Sequence, residues 1–285
     1  MTTKSVLTAI DPDGIATITF NRPEVHNAID ETVIAEFKQA LAKVAKDPRA
    51  RIVVIGGHGT SFCAGADLNW MKRTSRFTEE QNFRDAQEFT ELLTLLDRMP
   101  KPTVARVHGP VYGGGVGIVV ACDIAIGSRD AVFCFSEVRL GLIPAMISPY
   151  AVAAIGERQT RRYMLTAERI DAAEAFRIGL LHDLCEGDDL DDTIGRLAGH
   201  VLRAGPDAIA ACKTLIARVA RAPLDTATIE YTARAIAATR ASPEGKEGIG
   251  AFLDKRQPGW VAGAGVPAPK KTARTARKTA RKASR

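Results

Sequence analysis

Ala16, Ile18 and Phe20 alternate with Thr17 and Thr19, the period-two pattern of a half-buried strand. Residues 6–10 form a second strand candidate, and Asp13-Gly14 between the two carries hairpin turn chemistry. The period then changes. Val33, Phe37, Leu41 and Val44 keep helical spacing from a start near Asp30 to a stop at Asp47-Pro48. Residues 51–57, with Ile52-Val53-Val54-Ile55 at their centre, are apolar without alternation, as in a strand covered on both faces. A second helix starts at Thr78, which makes a capping box with Gln81. Ala86, Phe89, Leu93 and Leu96 mark its inner face, and Pro100 and Pro102 close it.

Strands are then predicted at 103–107, 122–128 and 131–136, with an apolar helix following Gly115. Strands alternating with long helices call for crossover connections and parallel pairing, so the fold class is α/β. Beyond Glu137 the pattern is helical. Ser148 reads as an N-cap before Pro149, opening a segment at 150–155; segments 158–165 and 172–178 follow, with Gly156 and Gly179 as stops. Leu190, Ile194, Leu197 and Val201 share one helical face, and 207–221, 224–240 and 243–255 are three further helices. The expected organisation is a core over 1–200, a helical region over 201–258, and a Gly/Pro/Ala linker with a basic tail over 259–285.

Composition narrows the class. Of the 285 residues, 46% are hydrophobic and 25% charged, the balance of an ordinary globular protein. No apolar run approaches the ~20 residues of a membrane span, and the N-terminus lacks the apolar stretch of a signal peptide. The five cysteines (63, 122, 134, 185 and 212) are odd in number and show no paired spacing, which suits reduced thiols in a cytoplasmic protein. No histidine set has metal-ligand spacing, so no metal is expected. The net charge of +6 is misleading: residues 270–285 hold eight Lys and Arg and no acid, leaving the remainder at −2. Such a tail cannot bury a core and is expected to be disordered.

The candidate chemistry sits where strands run into loops of small residues, at 56–66 and 108–115. Gly113-Gly114-Gly115 precedes a helix, so it is either a tight turn or a set of bare N–H donors for a ligand. Glu137, expected at the end of a strand, is a candidate acid–base group beside such donors.

Taken together, Phe62-Cys63-Ala64-Gly65-Ala66-Asp67, Gly113-Gly114-Gly115 and the run from Ser136 to Pro144 resemble the crotonase (enoyl-CoA hydratase/isomerase) superfamily. Asn21-Arg22-Pro23, Leu165-Thr166-Ala167 and the run from Ala251 to Arg256 are similar as well. The resemblance covers roughly residues 5–260 and implies a spiral of ββα turns with C-terminal helices that build trimers or hexamers. It implies an acyl-CoA thioester as substrate, with coenzyme A part of that substrate and no separate cofactor. It places the two oxyanion donors on the backbone N–H groups of Ala64 and Gly114, and the acid–base role on Glu137. Contact with substrate and coenzyme A falls to Arg22, Ala64, Gly65, Ala66, Asp67, Leu68, Gly113 and Gly114. Asp67 itself reads as a helix N-cap rather than a catalyst.

One carboxylate is missing. Typical hydratases carry a first glutamate two residues after the third glycine, where this chain has Gly117. A single glutamate suits a hydratase in which it serves as base and then acid, and equally an isomerase that only shifts a proton. Residues 136–150 resemble bacterial methylglutaconyl-CoA hydratase-like proteins, which favours hydration. For a substrate with a second carboxylate, Arg139 and Lys72 are the candidate partners; both also read as ordinary surface cations. A thioester hydrolase or decarboxylase, a non-catalytic acyl-CoA binder, and nucleic-acid association through the basic tail are the other classes.

Overall fold

The computed structural model describes residues 4–262. β1 (Val6–Ile10) and β2 (Ile15–Phe20) form the expected hairpin, pairing antiparallel from Val6 against Phe20 to Ile10 against Ala16. α1 (Glu31–Lys46) starts at Asp30, whose carboxylate accepts the Val33 N–H at 2.9 Å, and its buried stripe includes Val33, Phe37, Leu41 and Val44. β3 (Ile52–Gly57) lies parallel to β2. α2 (Leu68–Thr74) is a short helix capped by Asp67, and α3 (Glu79–Asp97) opens with the expected reciprocal Thr78–Gln81 box.

Next come β4 (Thr103–Val107), β5 (Pro110–Tyr112), α4 (Gly114–Ala121), β6 (Ile124–Ser128) and β7 (Val132–Cys134). α5 (Ser148–Thr166), β8 (Ile170–Asp171), α6 (Ala172–Arg177), β9 (Asp183–Cys185) and α7 (Leu190–Leu202) complete the core. α8 (Pro206–Val219), α9 (Thr226–Ala241), α10 (Pro243–Leu253) and the turn α11 (Gly259–Ala262) follow. The main sheet runs β1-β2-β3-β4-β6-β9 and is parallel from β2 onward; a smaller sheet runs β5-β7-β8.

β3 shows why its sequence lacks alternation. Val53 and Ile55 enter the main core with Phe20, Phe37 and Phe62, while Ile52 and Val54 face Leu190, Ile194 and Ala198 of α7 on the other side. Both faces are dry, so both parities are apolar. α7, which covers this face of the sheet, runs to Leu202.

Four expected boundaries shift for identifiable reasons. The strand expected at 122–128 starts at Ile124, because Asp123 is occupied in accepting the Thr103 N–H at 2.8 Å. The strand expected over 131–136 stops at Cys134, since its partner β5 ends at Tyr112, where the chain turns into α4. Ser148 does not cap α5: its hydroxyl donates to the Ala145 carbonyl at 2.8 Å, and Ile147 takes the cap position. Gly156, by contrast, breaks α5 where the stop is expected, with φ of 74°.

The fourth concerns the C-terminus. The linker expected from residue 259 begins instead with α11, packed on the body. Trp260 donates its indole N–H to the Arg203 carbonyl at 3.1 Å, and Arg51 reaches the Trp260 carbonyl at 3.3 Å. The linker beyond 262 and the tail at 270–285 lie outside the described residues. Trp260→Ala removes a half-buried ring and its hydrogen bond and is expected to cost about 1–3 kcal/mol. Urea melting of the two proteins measures it; an unchanged midpoint would mean that α11 contributes nothing to the fold.

Candidate active site

Cys63 and Val111 form an isolated parallel bridge: the Cys63 N–H donates to the Pro110 carbonyl at 3.2 Å, and the Tyr112 N–H returns to the Cys63 carbonyl at 2.9 Å. A second bridge joins Ile29 to Ala66, with the Ile29 N–H on the Gly65 carbonyl and the Asp67 N–H on the Ile29 carbonyl, both at 2.8 Å. The two strand-to-loop crossings are thereby laid side by side.

The three glycines answer three separate demands. Gly113 has φ of 49°, and a Cβ there would stand 3.3 Å from Glu137 Oε1. A Cβ at Gly114 would come within 3.1 Å of the Phe89 ring, and one at Gly115 would meet Cys63 Cβ at 2.8 Å. Gly114 is the first residue of α4, so its N–H has no intrahelical acceptor, and the cap residue Gly113 supplies none.

The donor expected on the facing loop is corrected. The Ala64 N–H donates to the His26 carbonyl at 2.9 Å and is engaged there. Ala66 differs: in its bridge, Ile29 bonds to the flanking Gly65 and Asp67, which turns the Ala66 N–H the other way. Among the described residues that N–H has no acceptor. The open pair is therefore Ala66 and Gly114. What decides between Ala64 and Ala66 is pairing with a distant segment, which local composition does not carry.

Arg22 and Asp67 act on the loop itself. Arg22 donates to the Ala28 carbonyl at 2.8 Å and pairs with Asp30 at 2.9 Å and Asp67 at 3.0 Å. Burial pushes the Asp67 carboxyl up, but the Trp70 and Asn69 N–H groups and Arg22 outweigh it and hold it below its ordinary value. Asn27, fully buried and left-handed at φ of 57°, donates to the His58 and Ser61 carbonyls at 2.9 and 2.8 Å and accepts the Arg22 N–H. It fixes the same loop and went unmarked in the sequence. Leu68 is exposed beside it. Arg139 caps α5 by donating to the Ala167 carbonyl at 2.6 Å, whereas Lys72 is exposed.

Glu137 opens a 3-10 turn, Glu137–Leu140, rather than closing a strand. Its Oε2 is buried without a hydrogen-bond partner, and burial raises its pKa. Cys63, by contrast, is an inert thiol pushed up to about 12 by burial. A groove of about 1030 Å³ lies across the main sheet between Thr17, Arg106 and Asp191, and includes neither Glu137 nor the open N–H pair. Among the described residues, no group of three or more His, Cys, Asp or Glu side chains is placed to hold a metal, and no helix is long and apolar enough to cross a membrane.

Comparison with known proteins decides what this arrangement belongs to. A family model described as enoyl-CoA hydratase/isomerase matches residues 11–263. The chain belongs to the enoyl-CoA hydratase/isomerase family. Within it, an enoyl-CoA hydratase structure from Shewanella pealeana superposes with a TM-score of 0.88 at 41% identity, over 90% of this chain and 96% of that one. Crotonyl-CoA hydratase of Syntrophomonas wolfei is 31% identical over 88% of this chain and 95% of its own length. (E)-benzylidenesuccinyl-CoA hydratase of Thauera aromatica is 31% identical over 86% and 95%. The crotonase-like α/β fold expected from the motifs is the fold observed.

A carboxyl whose pKa is raised in the folded protein binds its proton more tightly there than when unfolded. Stability therefore falls as pH rises from the unfolded value, about 4.3, through the folded one. Glu137→Gln is expected to raise the melting temperature at neutral pH, with the gain fading below about pH 4. A lower melting temperature for this variant at pH 7 would mean that the buried carboxylate is stabilised by a contact rather than strained.

Proposed function

We propose that this family member hydrates a 2-enoyl-CoA thioester, with Glu137 as the one proton carrier and the Ala66 and Gly114 N–H groups as the oxyanion hole. The observation that carries the reading is the buried, unpartnered Oε2 of Glu137, whose other oxygen lies against the glycine turn that presents Gly114. The Glu137 carboxylate takes a proton from water as the water oxygen attacks C3. The π electrons of C2=C3 move to the thioester carbonyl, and the enolate oxygen is held by the two N–H groups. Protonated Glu137 then returns the proton to C2, so the product is the substrate plus one water. Each such donor is typically worth ~3–4 kcal/mol in the transition state.

The names of the relatives support hydration, and the resemblance read from the sequence of residues 136–150 points the same way. A double-bond shift by the same glutamate is the second reading, favoured by Gly117, which leaves one carboxylate for the task. Assembly as a trimer or hexamer through α8–α10 is part of the proposal: Ile216, Ile229, Ile236 and Phe252 on these helices are exposed in the single chain.

Mass spectrometry of a panel of straight, branched and carboxylated enoyl-CoA thioesters separates the readings. Gain of one water is expected; an unchanged mass with a moved double bond means isomerase, and free coenzyme A means hydrolase. Gly114→Pro tests the hole, because proline is tolerated at a first helical position while removing the N–H. A loss of about 10²–10³ in kcat with the fold retained is expected. Near-wild-type turnover by the folded variant would remove Gly114 from the mechanism.

A further inference from the structure

One packing contact deepens this reading and rests on it. Gly117 lies one helical turn beyond Gly113, to whose carbonyl its N–H donates at 3.3 Å, and Gly113 is the residue against which the Glu137 carboxylate lies. A side chain at 117 would thus rise from α4 near Glu137. That space is already filled from elsewhere in the chain. Ile147 is 1% exposed, and its Cβ lies 3.0 Å from where a Cβ at 117 would stand, with its Cγ2 overlapping that position; Leu93 closes the other side at 3.8 Å. Ile147 belongs to the run Ala145-Met146-Ile147-Ser148-Pro149, which leads from the Glu137 turn into α5.

We propose that Ile147 is a specificity-determining residue of this site. It holds the volume from which a second carboxylate would reach the substrate, so Glu137 works alone against an apolar wall of Ile147 and Leu93. Glycine at 117 and isoleucine at 147 are then one coupled choice: neither changes toward a two-carboxylate site without the other. The water that Glu137 activates meets no second acceptor on this wall, so both its proton and its oxygen pass through the Glu137 side of the substrate.

The test has a stability arm and an activity arm. In an open helix alanine is favoured over glycine, yet Gly117→Ala is expected to lower the melting temperature here. Combining it with Ile147→Ala is expected to destabilise less than the sum of the two single changes. Additive changes, or a Gly117→Ala protein that melts higher than wild type, would overturn the proposal without reference to any activity. In the activity arm, Glu137→Gln is expected to reduce enoyl-CoA hydration about 10²–10⁴-fold. Adding Gly117→Glu together with Ile147→Ala is expected to return at least about tenfold of that loss, whereas adding Gly117→Glu alone returns none. A folded triple variant with no recovery, or equal recovery without trimming Ile147, would overturn it. A wild-type protein inert on every enoyl thioester would instead sink the hydratase reading, and the alanine cycle would then decide whether 117 and 147 are coupled.

Discussion

The bridge between Cys63 and Val111 sets the geometry of the site. Its two hydrogen bonds fix the direction of each peptide unit on either side, so the N–H groups that follow point alternately toward and away from the facing loop. Tyr112 donates to Cys63, Gly113 donates to Cys134 in the next strand, and Gly114 follows as the free donor at the head of α4. Such an approach tolerates almost no side-chain volume: a Cβ at Gly65 would stand 3.2 Å from the Tyr112 carbonyl oxygen. Small residues here are a packing requirement before they are a binding feature.

Around that frame the protein treats its carboxylates in two ways. Asp30 and Asp67 share Arg22, and Asp67 also accepts two N–H groups, so both carboxylates are partnered and serve to hold a loop. Glu137 has no such cation, and burial alone moves its pKa upward. A buried carboxylate short of partners is poor at stabilising a fold but holds its proton more readily than an exposed one.

Much of the architecture was legible because the periods were clean. The alternation at Ala16, Ile18 and Phe20, the helical spacing from Val33 to Val44 and the Thr78–Gln81 box each specify local structure that tertiary contacts then confirm. β5 and β8 of the second sheet and β9 at the edge of the main one span two or three residues, too few to show any period, so none of the three could be read in advance. At the candidate site, motifs singled out Gly114 and Glu137 as proposed participants, but telling the engaged Ala64 N–H from the open Ala66 N–H required knowing that His26 and Ile29 lie alongside. Ile147 was invisible for the same reason. A lone apolar residue announces burial, not which glycine it fills.

Arg51 carries a last consequence, in the order of events during synthesis. It stands at the entrance to β3, among the first strands of the main sheet to leave the ribosome. Yet its guanidinium donates to the Ala204 carbonyl at 2.8 Å and to the carbonyl of Trp260 at 3.3 Å. Until the far end of the chain emerges, this half-buried cation must remain in water, and the adjoining corner of the nascent core stays unsealed. β9, the edge strand at the opposite end of the sheet from β1, likewise arrives long after its neighbour β6. The contacts that cover Arg51 and pair β6 on its outer side therefore join segments far apart in the chain, unlike those of independent domains. These contacts can form only once residues 183–260 have been made, and until then the outer edge of β6 has no partner strand.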